Sequence, residues 1–487
     1  MDRTQLLLAA GGVASAVLGL LVVVTALVVV PRDRRPSSAT AWIITIVFVP
    51  VVGLIAFFLI GSPRLPRSRR VKQRSIDRLI TERTRRADLG DDPSPGPRWL
   101  DDVVRLNQNL GALPMLRGNQ AVVQTGYVGS IAAMTADVDS AQEFVHVEFY
   151  LLAHDPTTAP FFDAMARAVQ RGVVVRVLLD HLGSAGSPGY RRTLRRLTAA
   201  GVQWRLMLPV RPFRGRYLRP DLRNHRKLVV VDGLVAWAGS QNLVDRSYNK
   251  RVNRRRGLQW QDLMVRLRGP AVQEVEALFV TDWYSETDDL LEVRTPAAPE
   301  VEVGDLAVQV VPSGPGFETE NNLRLFTSLL YGAQERVSIT SPYFVPEESL
   351  LYAVTSAAYR GVAVELFVPE QADQLVVHHA QRSYYEQLLR SGVRIWLYPR
   401  PYVLHAKHMT VDSDVTVVGS SNLDIRSFTL DLELTLLVHG RGLADEVRHV
   451  EDGYRALSRE LTLATWLARP RWQQVTDNLA RLTSALQ

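Results

Sequence analysis

From Leu6 to Val30 and again from Ala39 to Gly61 the chain carries no charged residue. These apolar runs of about 25 and 23 residues are each long enough to cross a hydrocarbon core about 30 Å thick. The pattern predicts a two-helix transmembrane hairpin over residues 1–62. A cleaved signal peptide would need a shorter apolar stretch, a more basic start than Arg3 alone, and no second run immediately after it. Pro50 inside the second run is tolerated in spanning helices. Arginines 32, 34 and 35 lie between the runs, and Arg64, Arg67, Arg69, Arg70, Lys72 and Arg74 follow the second. The larger basic cluster places both ends of the hairpin, and the part that follows, on the cytoplasmic side of the cell membrane. Residues 63–97 read as a basic linker or as an amphipathic helix against anionic headgroups.

Past the breaker run Gly90 to Pro97 the rhythm becomes that of short β-branched strands alternating with helices that end in glycine. It does so twice. Phe144 to Tyr150 reads as a strand, followed by a helix ending in Arg171-Gly172-Val173, an apolar strand from Val174, and a helix ending in Ala200-Gly201-Val202. After a second composition break at Thr295 to Pro299, Val337 to Phe344 is followed in the same order by Arg360-Gly361-Val362, a strand through Val368, and Ser391-Gly392-Val393. An internal repeat of this kind implies two α/β sandwich halves, 98–294 and 295–487, each with a mostly buried sheet.

Composition changes this picture in two respects. With no cysteine, disulfides, thiolate metal sites and cysteine nucleophiles are excluded. A formal charge of +7 favours an anionic partner, lipid or nucleic acid.

Each half reaches the same polar cluster. The first reads Asn224-His225-Arg226-Lys227, with Asp232 five residues beyond the lysine, and the second reads Leu404-His405-Ala406-Lys407, with Asp412 likewise. On a strand, side chains two apart share a face, so each histidine stands beside a fixed ammonium. Asp232 and Asp412 join the candidate catalytic set, although their odd spacing from the lysines equally suits a structural role at a strand end. Further on, Gly239-Ser240-Gln241-Asn242 and Gly419-Ser420-Ser421-Asn422 are glycine-led turns. Ser240, Asn242, Ser420 and Asn422 supply donors suited to phosphate oxygens. His405 and His408, three apart, face opposite ways and do not form a metal pair. His378-His379 reads as a polar loop or a helix start more than a ligand pair, and Glu148 as a core residue more than a pocket wall. The run Arg211 to Arg223 either grips headgroups or is a solvated loop. No metal or cofactor is expected.

The doubled His-x-Lys cluster resembles the phospholipase D superfamily, whose members bring two such motifs into one pocket across a pseudo-twofold interface. Val308 to Pro315, Thr340 to Pro346, Arg382 to Leu389 and Gly419 to Ser427 look like bacterial cardiolipin synthases, as does the hairpin ending Phe57-Phe58-Leu59-Ile60-Gly61. Family members often carry Gly-Gly where Gly239-Ser240 stands and Asn-Phe-Glu where Asp431-Leu432-Glu433 stands.

The resemblance implies phosphatidyl transfer between two phosphatidylglycerol molecules, giving cardiolipin and glycerol. It gives His225 the part of nucleophile, forming a phosphohistidine, and His405 that of general acid and then base. Asp262 and Glu433 match the family's histidine-orienting carboxylates. Hydrolysis by a phospholipase D differs only in whether water reaches the intermediate. A superfamily nuclease would gain nothing from two spanning helices, so no nucleic-acid partner is expected. A scaffold with a dead site could have lost any of the paired polar residues, all of which are present.

Overall fold

The structure is a computed structural model that describes residues 96–292, save 211–217, and 304–482, save 318–319. At the N-terminus it describes 19–20, 22–24, 26–32, 36–61, 65, 69 and 71–72. Two compact units result, Met1–Arg64 and Leu65–Gln487.

In the N-terminal unit the second apolar run is not one continuous helix. It forms Pro36–Phe48 and Pro50–Ile60, of 13 and 11 residues. Proline at 50 disfavours helical dihedrals at the residue before it, and Val49 has φ −134° and ψ 69°. The two helices fold onto each other, so that the rings of Trp42 and Phe57 have centroids 5.5 Å apart. Along a straight helix these residues would be separated by about 22 Å. Ala26, Val30, Ala39, Ile46 and Phe57 form a small apolar cluster. Among the described residues no helix is long and apolar enough to cross a membrane. The continuous second span expected from hydropathy is therefore corrected to a bent pair, because an apolar run reports length but not the break a proline imposes. Most of the first run lies outside the described residues.

The larger unit is built on a 16-stranded sheet. From the middle outward, the first repeat lays down Met115–Gln124, Met264–Arg268, Val235–Gly239, Lys227–Val231, Phe144–Phe149, Val174–Asp180 and Gln203–Met207. The second lays down Leu306–Ser313, Asp431–His439, Val415–Gly419, His408–Val411, Arg336–Thr340, Ala363–Pro369 and Arg394–Tyr398, in the same spatial order. The sequence repeat is thus a structural repeat, with parallel outer strands and antiparallel inner ones. Met115–Gln124 joins the halves, pairing Leu306–Ser313 at one end and Met264–Arg268 at the other, with an irregularity between Leu116 and Asn119.

Alternation along the inner strands divides the core. Val229, Val231 and Trp237 face the helices Tyr127–Ser140 and Ala159–Gln170, in a cluster belonging to the first repeat. Leu228, Val230 and Ala236 face the other way, into a cluster shared with Val308, Val310, Leu434 and Leu436 of the second repeat. The helix Ala271–Thr287 covers that face, adding Ala271, Val275, Phe279 and Trp283 to the same cluster.

Two short parallel pairings cross the boundary. Arg223–Asn224 pairs with Asp431–Leu432, and Tyr402–Leu404 pairs with Gln259–Gln261. In each case the chain leaves this foreign strand and passes through its His-x-Lys motif.

Candidate active site

The histidines sit on the stretch between the crossing pair and the repeat's own strand, not within the strand itself. The backbone N–H of His225 donates to the Leu432 carbonyl at 2.8 Å, and that of His405 to Gln261 at 2.7 Å, so each motif is tethered to the opposite repeat. Exchange of side-chain partners follows from that tether. His225 Nδ1 lies 2.9 Å from Glu433 Oε1, and His405 Nδ1 lies 2.7 Å from Asp262 Oδ1. Each imidazole is oriented by the carboxylate of the other half.

The carboxylates are themselves held. Ser240 Oγ donates to Asp262 at 2.7 Å, and Ser420 Oγ donates to Glu433. Both hydroxyls also accept a backbone N–H, from Leu263 at 3.0 Å and Leu434 at 2.9 Å. Gly239 and Gly419 make this approach possible, since a Cβ on either would collide with the carbonyl of Leu263 or Leu434. Ser240 and Ser420, expected to bind phosphate, are instead committed to the orienting carboxylates.

The lysines stand with the imidazoles as the two-residue spacing requires. Lys227 Nζ donates to the His225 carbonyl. Lys407 Nζ lies 2.8 Å from the His405 carbonyl and 3.1 Å from His405 Nε2. Asn242 accepts from the Leu151 N–H at 3.2 Å and donates to Tyr248 Oη at 2.9 Å, which ties its side chain to the pocket wall. The side-chain oxygen of Asn422 is buried with no partner among the described residues.

Burial dominates the electrostatics. It pushes the His225 imidazole down to about 4, against the upward pull of Glu433, with Lys227 and Lys407 adding to the fall. His405 is lowered by burial and then by Lys407, with Lys227 contributing. Each ring thus lies within electrostatic range of the ammonium groups of both repeats. Burial also lowers Lys227 to about 7 and Lys407 to about 8. It would raise the Glu433 carboxyl, but His225, the lysine and Ser420 outweigh it and hold the group at about 2. Asp262 is likewise held low by His405 against its own burial. At neutral pH the site therefore holds neutral imidazoles whose Nδ1–H donates to a carboxylate, which leaves the Nε2 lone pair of His225 for other work, while that of His405 faces Lys407.

Asp232 and Asp412 are not in the pocket. Asp232 accepts the N–H groups of Gln142, Glu143 and Phe144 at 2.8–2.9 Å. Asp412 does the same for Gln334, Glu335 and Arg336 at 2.8–3.2 Å. Each takes a positive φ, 52° and 47°. They fix the turn that leads from a helix into an inner strand, at the far end from the histidines, and their place in the catalytic set is corrected on that ground.

Other residues fall as follows. His408 is buried on the opposite face from His405, 3.4 Å from Glu451. His379 belongs to the helix Leu375–Arg382 and binds Asp477 at 2.7 Å. Burial pushes Glu148 well up, between Asp282 and Arg226, and it is a core residue. Arg223 is buried against Asp180 at 3.1 Å, so it does not reach headgroups, while 211–217 lie outside the described residues. In the basic stretch after the hairpin, Arg69 forms an ion pair with Glu286 at 2.7 Å and Lys72 one with Asp288.

Sequence reading missed two tyrosines. The Tyr150 ring meets His225 edge-on at 5.2 Å, and the Tyr248 ring stands 6.4 Å from His405. A weak signal existed for the second, since Asn242 and Asn422 are each followed six residues later by an aromatic, Tyr248 and Phe428.

Known proteins agree with this architecture. The family described as "Cardiolipin synthase, PLD-like domain" matches residues 134–283 and 326–452, and "Phospholipase_D-nuclease N-terminal" matches 20–62. A solved structure, a phosphatidylserine synthase from Haemophilus influenzae, superposes with a TM-score of 0.60 at 15% identity, over 79% of this chain and 100% of its own. The fold is thus that of the phospholipase D-like proteins.

Within that class the sequence is more specific. Cardiolipin synthase A of Serratia proteamaculans is 32% identical over 484 residues, and that of Pectobacterium carotovorum 31% over 481, with 96% of each chain covered. The chain belongs to the cardiolipin synthase family of phospholipase D-like phosphatidyltransferases.

Proposed function

We propose that the protein condenses two phosphatidylglycerol molecules into cardiolipin and glycerol through a phosphohistidine. The observation that carries this reading is the reciprocal pair of imidazole–carboxylate contacts, His225 with Glu433 and His405 with Asp262, in one pocket. A phosphodiester repels nucleophiles by its charge, so attack requires cations at the nonbridging oxygens. Lys227 and Lys407 supply them, and Asn422 has free capacity to assist.

His225 Nε2 attacks phosphorus and the bond to the headgroup glycerol breaks. Its side chain is 12% exposed against 7% for His405, whose Nε2 already meets Lys407. These differences favour His225 as the nucleophile. His405 acts as general acid, giving its proton to the departing glycerol oxygen. The anionic substrate raises the pKa of the imidazoles it touches, which makes that protonation attainable. His405, now neutral, takes the proton from the hydroxyl of a second phosphatidylglycerol, whose oxygen displaces histidine from phosphorus.

The two N-terminal apolar runs hold the enzyme to the cell membrane, with the catalytic part on the cytoplasmic side. Their lack of charge and the basic residues after Gly61 support this reading.

The test is to incubate purified full-length protein with phosphatidylglycerol vesicles and separate the lipids. Cardiolipin and free glycerol in equal amounts are expected. Phosphatidic acid instead would make the protein a hydrolase, and no turnover would remove the enzymatic reading.

A further inference from the structure

The C-terminal helix Arg471–Arg481 is amphipathic with its apolar side outward. Trp472, Val475 and Leu479, with Leu482 just past its end, are 64%, 57%, 59% and 79% exposed. At about 100° per residue these four fall within an arc of about 80°. Asp477 and Ala480 lie on the opposite side, and Asp477 is fully buried.

That inner face is locked. Asp477 receives His379 at 2.7 Å and Arg382 at 3.3 Å, with Arg469 at 3.8 Å. The helix cannot roll to hide its stripe without breaking a buried ion cluster. Leu375 and Val376, on the helix that supplies His379 and Arg382, are 70% and 52% exposed and continue the apolar surface.

The surface leads to the pocket. Leu375 follows Asp373 by two residues, and Asp373 accepts from Tyr343 Oη at 2.6 Å and acts electrostatically on Lys407. Two residues before Asp373, Gln371 accepts from Arg256 once its amide oxygen faces the guanidinium. Arg256 ends the first repeat's basic segment, Lys250-Arg251-Val252-Asn253-Arg254-Arg255-Arg256, which shows only Val252 as an exposed apolar side chain.

We propose that this surface, the C-terminal stripe with Leu375 and Val376 flanked by the basic rim 250–256, dips into an anionic bilayer and seats the pocket mouth on it. Apolar side chains with a tryptophan, edged by cations, fit the headgroup boundary of such a bilayer. The fit requires no contribution from the N-terminal runs. A membrane-lipid substrate, on which this inference rests, gives the catalytic part reason to meet the surface directly, because the phosphodiester then reaches the histidines without the acyl chains leaving the bilayer.

The absence of native cysteine allows a direct test on the full chain. Val475→Cys, Leu479→Cys and the control Gln474→Cys are each labelled with a fluorophore and reconstituted in vesicles containing phosphatidylglycerol. Labels at 475 and 479 should be quenched by a shallow lipid-borne nitroxide and be at least about threefold less accessible to iodide than the label at 474. Equal iodide access at all three overturns the proposal. So does shielding from iodide without nitroxide quenching, since a second protein copy would then cover the stripe.

None of these readouts needs turnover, so they stand apart from the reaction itself. In a second arm, Val475→Glu combined with Leu479→Glu should slow transfer on vesicles by about tenfold or more while sparing dispersed short-chain phosphatidylglycerol. Equal loss on both substrates contradicts it.

Discussion

His225 and Glu433 are 208 residues apart in sequence and belong to different repeats, yet imidazole Nδ1 and carboxylate Oε1 are separated by 2.9 Å. The contact exists because the strand Arg223–Asn224 pairs with Asp431–Leu432 immediately before both residues. Orientation of the His225 imidazole is thereby coupled to assembly of the two halves. Neither repeat holds a complete imidazole–carboxylate pair by itself.

Replacing Glu433 by Gln keeps the shape but removes the charge that stabilises an imidazolium. Transfer should lose about 10²–10⁴-fold in kcat. Asp262→Asn should do the same for His405, and the double variant should be little worse than either single, because the pairs act as one unit. Initial rates of cardiolipin formation, with circular dichroism to confirm folding, check this. Additive losses would mean that the two pairs serve unconnected steps.

The repeat and its polar clusters were legible because they rest on local order: strand, helix, glycine stop, His-x-Lys. Which carboxylate serves which histidine was not, since Asp262 and Glu433 each follow their own repeat's motif and only the crossing strands exchange them. The serines look like phosphate ligands because a hydroxyl beside a glycine turn is donor-rich; the carboxylate that accepts its hydrogen bond, Asp262 or Glu433, arrives from further along the chain. Pro50 was visible, but apolar content alone could not show that the helices on either side of it would fold together.

Asp412 separates structural from catalytic roles. Its carboxylate collects three backbone N–H groups, and its φ of 47° suits Asp better than Ala. Asp412→Ala should cost about 2–3 kcal/mol of unfolding free energy. Below the transition kcat should stay within about twofold of wild type. Denaturant titration and rates on the same preparation measure both, and a catalytic collapse in a stably folded variant would return Asp412 to the active set.

Ser420 holds Glu433, not substrate, so its loss should appear in turnover and not in affinity. Ser420→Ala should lower kcat by about tenfold, the value of one hydrogen bond to a buried carboxylate, with KM changed less than about twofold. Ser240→Ala should behave alike through Asp262. A large rise in KM with kcat preserved would show that these hydroxyls touch phosphate after all.

The pH dependence of kcat/KM reports the free enzyme, in which burial displaces both histidines and both lysines downward, which suits the nucleophile and opposes the groups that must stay protonated. His225 must be neutral to attack, and burial brings it to about 4, so the acid limb should lie near 4 and not near the ordinary 6.5 of histidine. The ammonium groups must be charged to meet an anionic phosphodiester. His405 must carry a proton to act as general acid, and burial lowers it below the ordinary value, while burial also lowers Lys227 to about 7 and Lys407 to about 8, so activity should begin to fall where His405 loses its proton and fall further as the lysines titrate, well before an exposed lysine would. Lys227→Arg retains its charge throughout and should remove the part of the alkaline fall near 7, leaving those of His405 and Lys407, even if the bulkier guanidinium lowers the plateau. Once substrate is bound, its negative charge favours the protonated forms, so the limbs of kcat should sit higher than those of kcat/KM. A profile with an acid limb at 6.5, or a fall near 7 that Lys227→Arg leaves in place, would mean that burial does not set the protonation states on which the proposed steps depend.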